Sequence, residues 1–221
     1  FFLNNGVNIV NEDQVSSDLN SEKAVGVTQK FQDWYQDGKI NWMIGEGASS
    51  DMRQGFIDGK YASVIHTTSL YNLYLDNCDF EVGMHYLPGG EAGRKSEIGG
   101  CVLLIPAKND DKTKVAAWHL LNYLTSKDVN MTWAAETGYM PTRNSVLKTD
   151  EAKAFLAEKP AFESVFAHID DIMPRIQHPG YSRLAESWKT GISKTVIEKL
   201  DPQESMNETV SIIDEELADS F

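Results

Sequence analysis

A handful of short stretches in this chain carry residues whose types could bind or react. Gly99-Gly100 opens an apolar run. Paired glycines let a ligand approach the backbone closely and leave amides free to donate. The same pair also suits a bulge or hinge at the start of a strand. Tyr139 follows Gly138 and precedes Met140-Pro141, which holds the loop extended. Its ring face and hydroxyl suit a polyol or sugar; packing beside the turn is the other use. Arg183 stands in the run PGYSRL, at the first turn of a predicted long helix. A cation there opposes the helix dipole and needs compensation. A phosphate or carboxylate would supply it, gripped bidentately by the guanidinium and favoured by the helix amino terminus. An exposed pairing with Glu186 would serve too. Thr67, Thr68 and Ser69 either cap the short helix they open or turn their hydroxyls to a ligand. Trp42, on the loop after the first helix, could stack on a sugar ring.

Other polar groups read as inert. The run from Gly89 to Ser96 has a phosphate-loop flavour, but Arg94 separates Gly93 from Lys95 and a strand follows, so it is a surface turn. The five histidines, His66, His85, His119, His168 and His178, form no metal-ligand spacing. The pairs Asp170-Asp171 and Asp110-Asp111 are sequence neighbours, which point apart on a helix. Neither resembles a general acid/base pair, which needs one carboxyl in an apolar setting. No nucleophile motif and no cofactor fingerprint is present, which favours binding over catalysis. Cys78 and Cys101 suit neither CxxC chemistry nor zinc. They are expected to be buried free thiols, with a disulfide open in an oxidising compartment.

The elements that must hold these residues follow from periodicity. Ala24, Val27, Phe31, Trp34 and Tyr35 share one face of a helix over 21–37, capped by Asn20 or Ser21 and stopped by Gly38. Short helices are expected at 49–58 and 68–76. Longer ones are expected near 111–125 and at 127–137, and weaker ones at 150–157 and 160–169. Leu184, Trp188, Ile192, Val196 and Leu200 stripe a long helix. Asp201-Pro202-Gln203-Glu204 starts another with a capping acid and a proline at its first position. Strands are expected at 60–66, 80–87 and 101–105. Trp34, Trp118, Trp133 and Trp188 fit helix stripes and are expected in the core. Strands alternating with helices make the class α/β.

Composition bounds function. The formal net charge of -13 over 221 residues argues against nucleic acid and anionic lipid. No apolar run approaches the roughly 20 residues a bilayer requires. The eight acids and one lysine of 198–219 read as a solvated face.

Residues 98–143 combine a double glycine, an apolar run, two helices and the ETGY-P-R turn in fixed order. That order resembles the extracellular solute-binding proteins of bacterial ABC importers, in the sugar- and glycerol-3-phosphate-binding branch. Residues 52–88, MRQGFIDGKYASVIHTTSLYNLYLDNCDFEVGMHYLP, and 21–39, SEKAVGVTQKFQDWYQDGK, are similar to further segments of that group in the same sequence order. The resemblance implies a two-lobe, type II periplasmic-binding-protein-like α/β fold that closes over a small molecule. It implies a chain lacking most of one lobe, with 1–97 and 148–221 in the carboxy-terminal lobe and 98–147 in the amino-terminal one. It implies ligand-binding roles for Thr68, Ser69, Gly99, Gly100, Tyr139 and Arg183. The hydroxyl run is one residue shorter than the branch's, so the matching hydroxyl is open. Glycerol 3-phosphate or a related phosphodiester is the implied ligand, with a neutral oligosaccharide as alternative. A sugar or phosphate-ester hydrolase is the alternative of another class. No enzyme activity, cofactor or metal is implied. The implied setting is extracytoplasmic, at the periplasm or cell surface. The implied protein is a monomer working with importer membrane subunits, and any signal or lipoprotein leader lies outside this chain.

Overall fold

A computed structural model describes residues 1–220. In chain order the main elements are α1 (Glu22–Gln36), α2 (Ala48–Ile57), α3 (Tyr71–Asn77), β1 (Ser96–Ile98), α4 (Asp111–Leu124), α5 (Lys127–Thr137), α6 (Asp150–Glu158), α7 (Glu163–Phe166), β2 (Ile172–Pro174), α8 (Tyr181–Glu198) and α9 (Pro202–Ala218). The helices match the periodicity closely because their caps are local. Ser21 accepts from the Ala24 amide, Asp110 from Thr113 and Asp201 from Glu204.

The chain divides into two compact units. The first comprises Phe1–Ser49, Leu87–Ile98 and Asp171–Phe221; the second comprises Ser50–Tyr86 and Gly99–Asp170. Residues 50–86 and 148–170 cluster here with 99–147.

The first unit is built on α1, α8 and α9. Leu184, Val196, Met206, Ile213 and Leu217 are fully buried between them, with Phe2 and Leu19 from the amino-terminal segment. Gly191 sets how close α8 and α9 come: a Cβ there would lie 2.1 Å from Thr209 Oγ1. Gln32 of α1, itself buried, donates to the carbonyls of Thr195 and Leu200, both at 2.8 Å. Those oxygens belong to the end of α8 and the turn beyond it, where intrahelical donors run out. β1 and β2 pair in parallel, Ser96 opposite Ile172 and Ile98 opposite Pro174. The Gly89–Ser96 region is the expected turn, bridged from Gly90 to Gly93.

The second unit packs α3, α5, α6 and α7 around Phe56, Tyr71, Tyr74, Val146, Phe155 and Phe162. Several expectations need correction here. Residues 60–66, 80–87 and 101–105 enter no ladder among the described residues. A strand is completed by a partner, and a window of sequence contains none. The paired strand near the double glycine precedes it rather than following it. Trp118 and Trp133 are not core residues but stand 56% and 58% exposed. Both cysteines are free, as expected, yet Cys101 is exposed and Cys78 only half-buried.

Candidate functional site

Two of the sequence-selected segments meet in the second unit. α5 ends at Gly138, whose left-handed conformation (φ 75°) closes the helix with a bond from its amide to the Ala134 carbonyl. A Cβ at Gly138 would come within 2.5 Å of the Thr68 carbonyl oxygen. Glycine therefore serves twice, as left-handed cap and as the gap that lets the Thr68-Ser69 backbone lie against the turn. Tyr139 is the next residue, 40% exposed.

The hydroxyl run does in part what a cap does. Thr67 Oγ1 accepts from the Ser69 amide at 3.4 Å and lies 3.1 Å from Ser69 Oγ. The short 3-10 turn Thr68–Leu70 leads into α3. From α3, Asn72 donates to the Glu136 carbonyl at 2.9 Å and to the Ala135 carbonyl at 3.4 Å. Its own side-chain oxygen accepts from Lys159 Nζ at 2.9 Å. The end of α5 is thereby fastened to α3 and to the segment after α6.

The far side of the Tyr139 loop is held as firmly. Asn130 Oδ1 accepts from the Thr142 amide at 2.9 Å, and Arg143 Nε donates to the Thr125 carbonyl at 2.5 Å. The Tyr139 amide itself donates to Thr137 Oγ1 at 3.3 Å. Tyr139, 40% exposed, thus stands on a loop pinned at both ends, next to the Gly138 that meets the Thr68-Ser69 backbone. Such an arrangement can stack on an apolar sugar face and exchange hydrogen bonds with its hydroxyls. Asn72, Asn130 and Lys159 were not singled out by sequence. The signal available was asparagine inside two predicted helices, where its amide competes with the backbone unless it has a task elsewhere.

Gly99 and Gly100 are exposed, and Gly100 has φ 152° with nothing within 4 Å of where a Cβ would stand. Its amide is open to approach. Arg183 lies in the first unit. One nitrogen, Nη2, donates to Ser220 Oγ at 2.7 Å and to the Glu216 carbonyl at 3.4 Å. The compensation expected from an anion or Glu186 comes in part from the carboxyl end of α9, whose terminal carbonyls favour a cation. Glu186 instead pairs with Lys189 at 2.6 Å. Trp42 is no open stacking platform: it packs on the first unit's core, 5.5 Å from the Phe31 ring centre, and donates to Ser193 Oγ at 3.0 Å.

A cavity of about 660 Å³ opens in the second unit beside Tyr71, Val82, His85, Lys159 and Ser164, and none of the six sequence-selected residues lines it. Among the described residues no group of three or more His, Cys, Asp or Glu is placed to hold a metal ion. No helix among them is long and apolar enough to cross a membrane.

Comparison with known proteins bears on the family and the fold. Residues 2–163 match the family described as bacterial extracellular solute-binding protein. Binding proteins of Brucella abortus (strain 2308) and Brucella suis biovar 1 (strain 1330) are each 22% identical over 216 residues, covering 95% of this chain and 50% of the relative. Among solved structures, the cyclic α-maltosyl-1,6-maltose binding protein of Arthrobacter globiformis superposes with a TM-score of 0.81 at 17% identity, over 99% of this chain and 54% of that one. UgpB of Mycobacterium tuberculosis, in complex with glycerophosphocholine, gives 0.80 at 17% identity over 98% and 54%. The sugar-binding protein MalE of Xanthomonas citri gives 0.80 at 19% over 99% and 55%. The chain spans about half the length of the relatives it matches. Its fold is α/β, periplasmic-binding-protein-like of type II, represented in part.

Proposed function

The chain belongs to the bacterial extracellular solute-binding proteins, and we propose that it is part of the substrate-binding component of an ABC importer that takes up a sugar or similar polyol. The observation that carries this reading is the pinned Tyr139 loop lying against Thr68-Ser69. A ring face and adjacent hydroxyls suit a neutral, many-hydroxyl ligand, and a prepositioned aromatic loses little entropy on binding. Gly99-Gly100 would add backbone amides to such a site. No bond is made or broken; the ligand selects a closed form by contacting more surface there. The partners are the importer's membrane subunits, the setting is extracytoplasmic, and the protein acts as a monomer.

Calorimetry on the protein that carries this chain tests the reading. Maltose-type sugars should bind, and Tyr139→Ala should weaken them at least tenfold, or about 1.4 kcal/mol. Unchanged affinity in that variant removes Tyr139 from the site.

A second reading keeps the family and changes the solute to glycerol 3-phosphate or a related phosphodiester. It is favoured by Arg183, exposed in the first turn of the 18-residue helix α8. On that reading Arg183→Ala costs the phosphate ester about 2–5 kcal/mol of affinity. The bonds of Nη2 to Ser220 and Glu216 weigh against it, because they already give the guanidinium a partner. The hydrolase alternative differs in its readout: product would accumulate when protein and candidate sugar or ester are incubated together.

A further inference from the structure

The last carbonyls of α5 stand just ahead of Tyr139, where intrahelical donors run out. Ala134 takes the Gly138 amide, and there the chain turns away. Ala135 and Glu136 are served from outside the helix. Asn72 Nδ2 donates to the Glu136 carbonyl at 2.9 Å and to that of Ala135 at 3.4 Å, and Lys159 Nζ reaches the Ala135 carbonyl at 3.5 Å. Lys159 Nζ also donates to Asn72 Oδ1 at 2.9 Å. An asparagine amide can turn either end to a neighbour, but an ammonium has donors only. Lys159 therefore draws the Asn72 oxygen to itself and leaves the NH2 group facing α5. Lys159 is well placed for this. Its amide donates to the Phe155 carbonyl at 2.8 Å at the end of α6, and Pro160 keeps its backbone out of the helical region (φ -123°, ψ 71°). Glu158 and Glu163 line the same cavity as Lys159, yet among the described residues it forms an ion pair with neither. Its charge lies instead at the carboxyl end of α5, which favours a cation.

We propose that Asn72, oriented by Lys159, is a positioning residue of the ligand site: it holds the end of α5 that carries Tyr139 against the turn that carries Thr68 and Ser69. Asn72 lies on α3, which continues directly from the 3-10 turn Thr68–Leu70. Its bonds to Ala135 and Glu136 therefore join the two halves of the site through one side chain. Gly138 and Asn72 have complementary parts in this. Gly138 gives the room, since a Cβ there would come within 2.5 Å of the Thr68 carbonyl oxygen. Asn72 supplies the attraction that keeps the room closed. A ring held in place before the ligand arrives loses little freedom on binding, so loosening it costs affinity even where the loosened bond touches no ligand. The proposal rests on the reading of Tyr139 as a ligand-binding residue.

Hydrogen exchange and maltose affinity test this in the protein that carries the chain, for Lys159→Met, Asn72→Ala, Tyr139→Ala and each of the first two combined with Tyr139→Ala. Lys159→Met keeps an apolar stem and removes the donors, so it reads the relay even if Asn72→Ala folds poorly. Exchange at the Gly138 and Tyr139 amides should quicken in Lys159→Met while the amides of α8 and α9 stay as protected as in wild type, a local loosening and not a loss of global stability. Maltose should bind about twofold or more weakly in Lys159→Met and lose nothing further when that change is added to Tyr139→Ala, the non-additivity of residues in one network. Wild-type exchange at Gly138 and Tyr139 in Lys159→Met overturns the proposal. So does a purely additive double variant, and so does unchanged maltose affinity in Lys159→Met where Tyr139→Ala weakens it. Unchanged affinity in Tyr139→Ala instead overturns the reading of the site, and the proposal with it.

Discussion

Gln32 and Asp214 are buried or half-buried polar residues in one helical unit, and their surroundings give them opposite effects on stability. The Gln32 amide supplies donors to two carbonyls at the end of α8. Thr195 keeps the Leu200 amide as a donor, whereas Leu200 loses the side chain that reaches its carbonyl. Gln32→Leu should therefore destabilise the protein by about 1–3 kcal/mol, the cost of stranding a buried acceptor, and a chemical-denaturation midpoint equal to wild type would refute it. Asp214, on α9, has a buried Oδ1 without a hydrogen-bond partner. Burial pushes its carboxyl above the usual aspartate range, and the nearby Asp13 and Asp18 add to the rise against a bond from the Ser17 backbone. A raised folded-state value means the native protein binds this proton more readily than the unfolded chain. Stability then falls as pH climbs from the ordinary aspartate value through the raised one. Asp214→Asn should melt higher than wild type at pH 7, and the gap should close as pH drops below the aspartate range. A constant gap across that range would mean the charge is not the cause.

At the scale of elements, helices α8 and α9 pack as antiparallel neighbours whose approach is set by one missing side chain. Gly191 faces Thr209, with a Cβ there placed 2.1 Å from Oγ1, 2.5 Å from Cγ2 and 2.9 Å from Cβ. Gly191→Ala should cost about 1–3 kcal/mol by overpacking. Thr209→Ala in the same chain removes the two nearest atoms and should restore part of it; a double variant no more stable than the single one would locate the strain elsewhere. Helices such as these were legible because cap, stripe and stop lie within one stretch of sequence: Ser21, Asp110 and Asp201 cap where their types suggest. The close contact at Gly191 was not legible, since nothing local distinguishes a glycine that admits a neighbour from one that merely weakens a helix. Extended segments fared worst. Residues 60–66, 80–87 and 101–105 have strand composition and no ladder, while Ser96–Ile98 and Ile172–Pro174 pair across more than seventy residues. The Tyr139 turn was legible from Gly138 and Pro141, but its adjacency to Thr68 depends on how α3 and α5 pack, and Arg183's bond to Ser220 on how α8 and α9 end.

Charge belongs to the molecule as a whole, and it separates the two candidate solutes more cleanly than any single side chain. A formal charge of -13 on this chain would set the candidate ligand-binding residues in a negative field. Such a field slows the approach of an anion and leaves a neutral molecule alone. Salt contracts the reach of that field to about 10 Å at 0.1 M and about 3 Å at 1 M. A phosphate ester should therefore associate faster as salt is raised, unless a local cation such as Arg183 reverses the sign near the site, in which case it should associate more slowly. A sugar should show an association rate flat across the same series. Stopped-flow measurements of association from 0.01 to 1 M salt distinguish these outcomes, with the glycerol 3-phosphate and maltose series run side by side. A strong salt dependence for the sugar would contradict a neutral polyol as the solute, and a flat response for the phosphate ester would show that neither the overall charge nor Arg183 acts on the ligand's path.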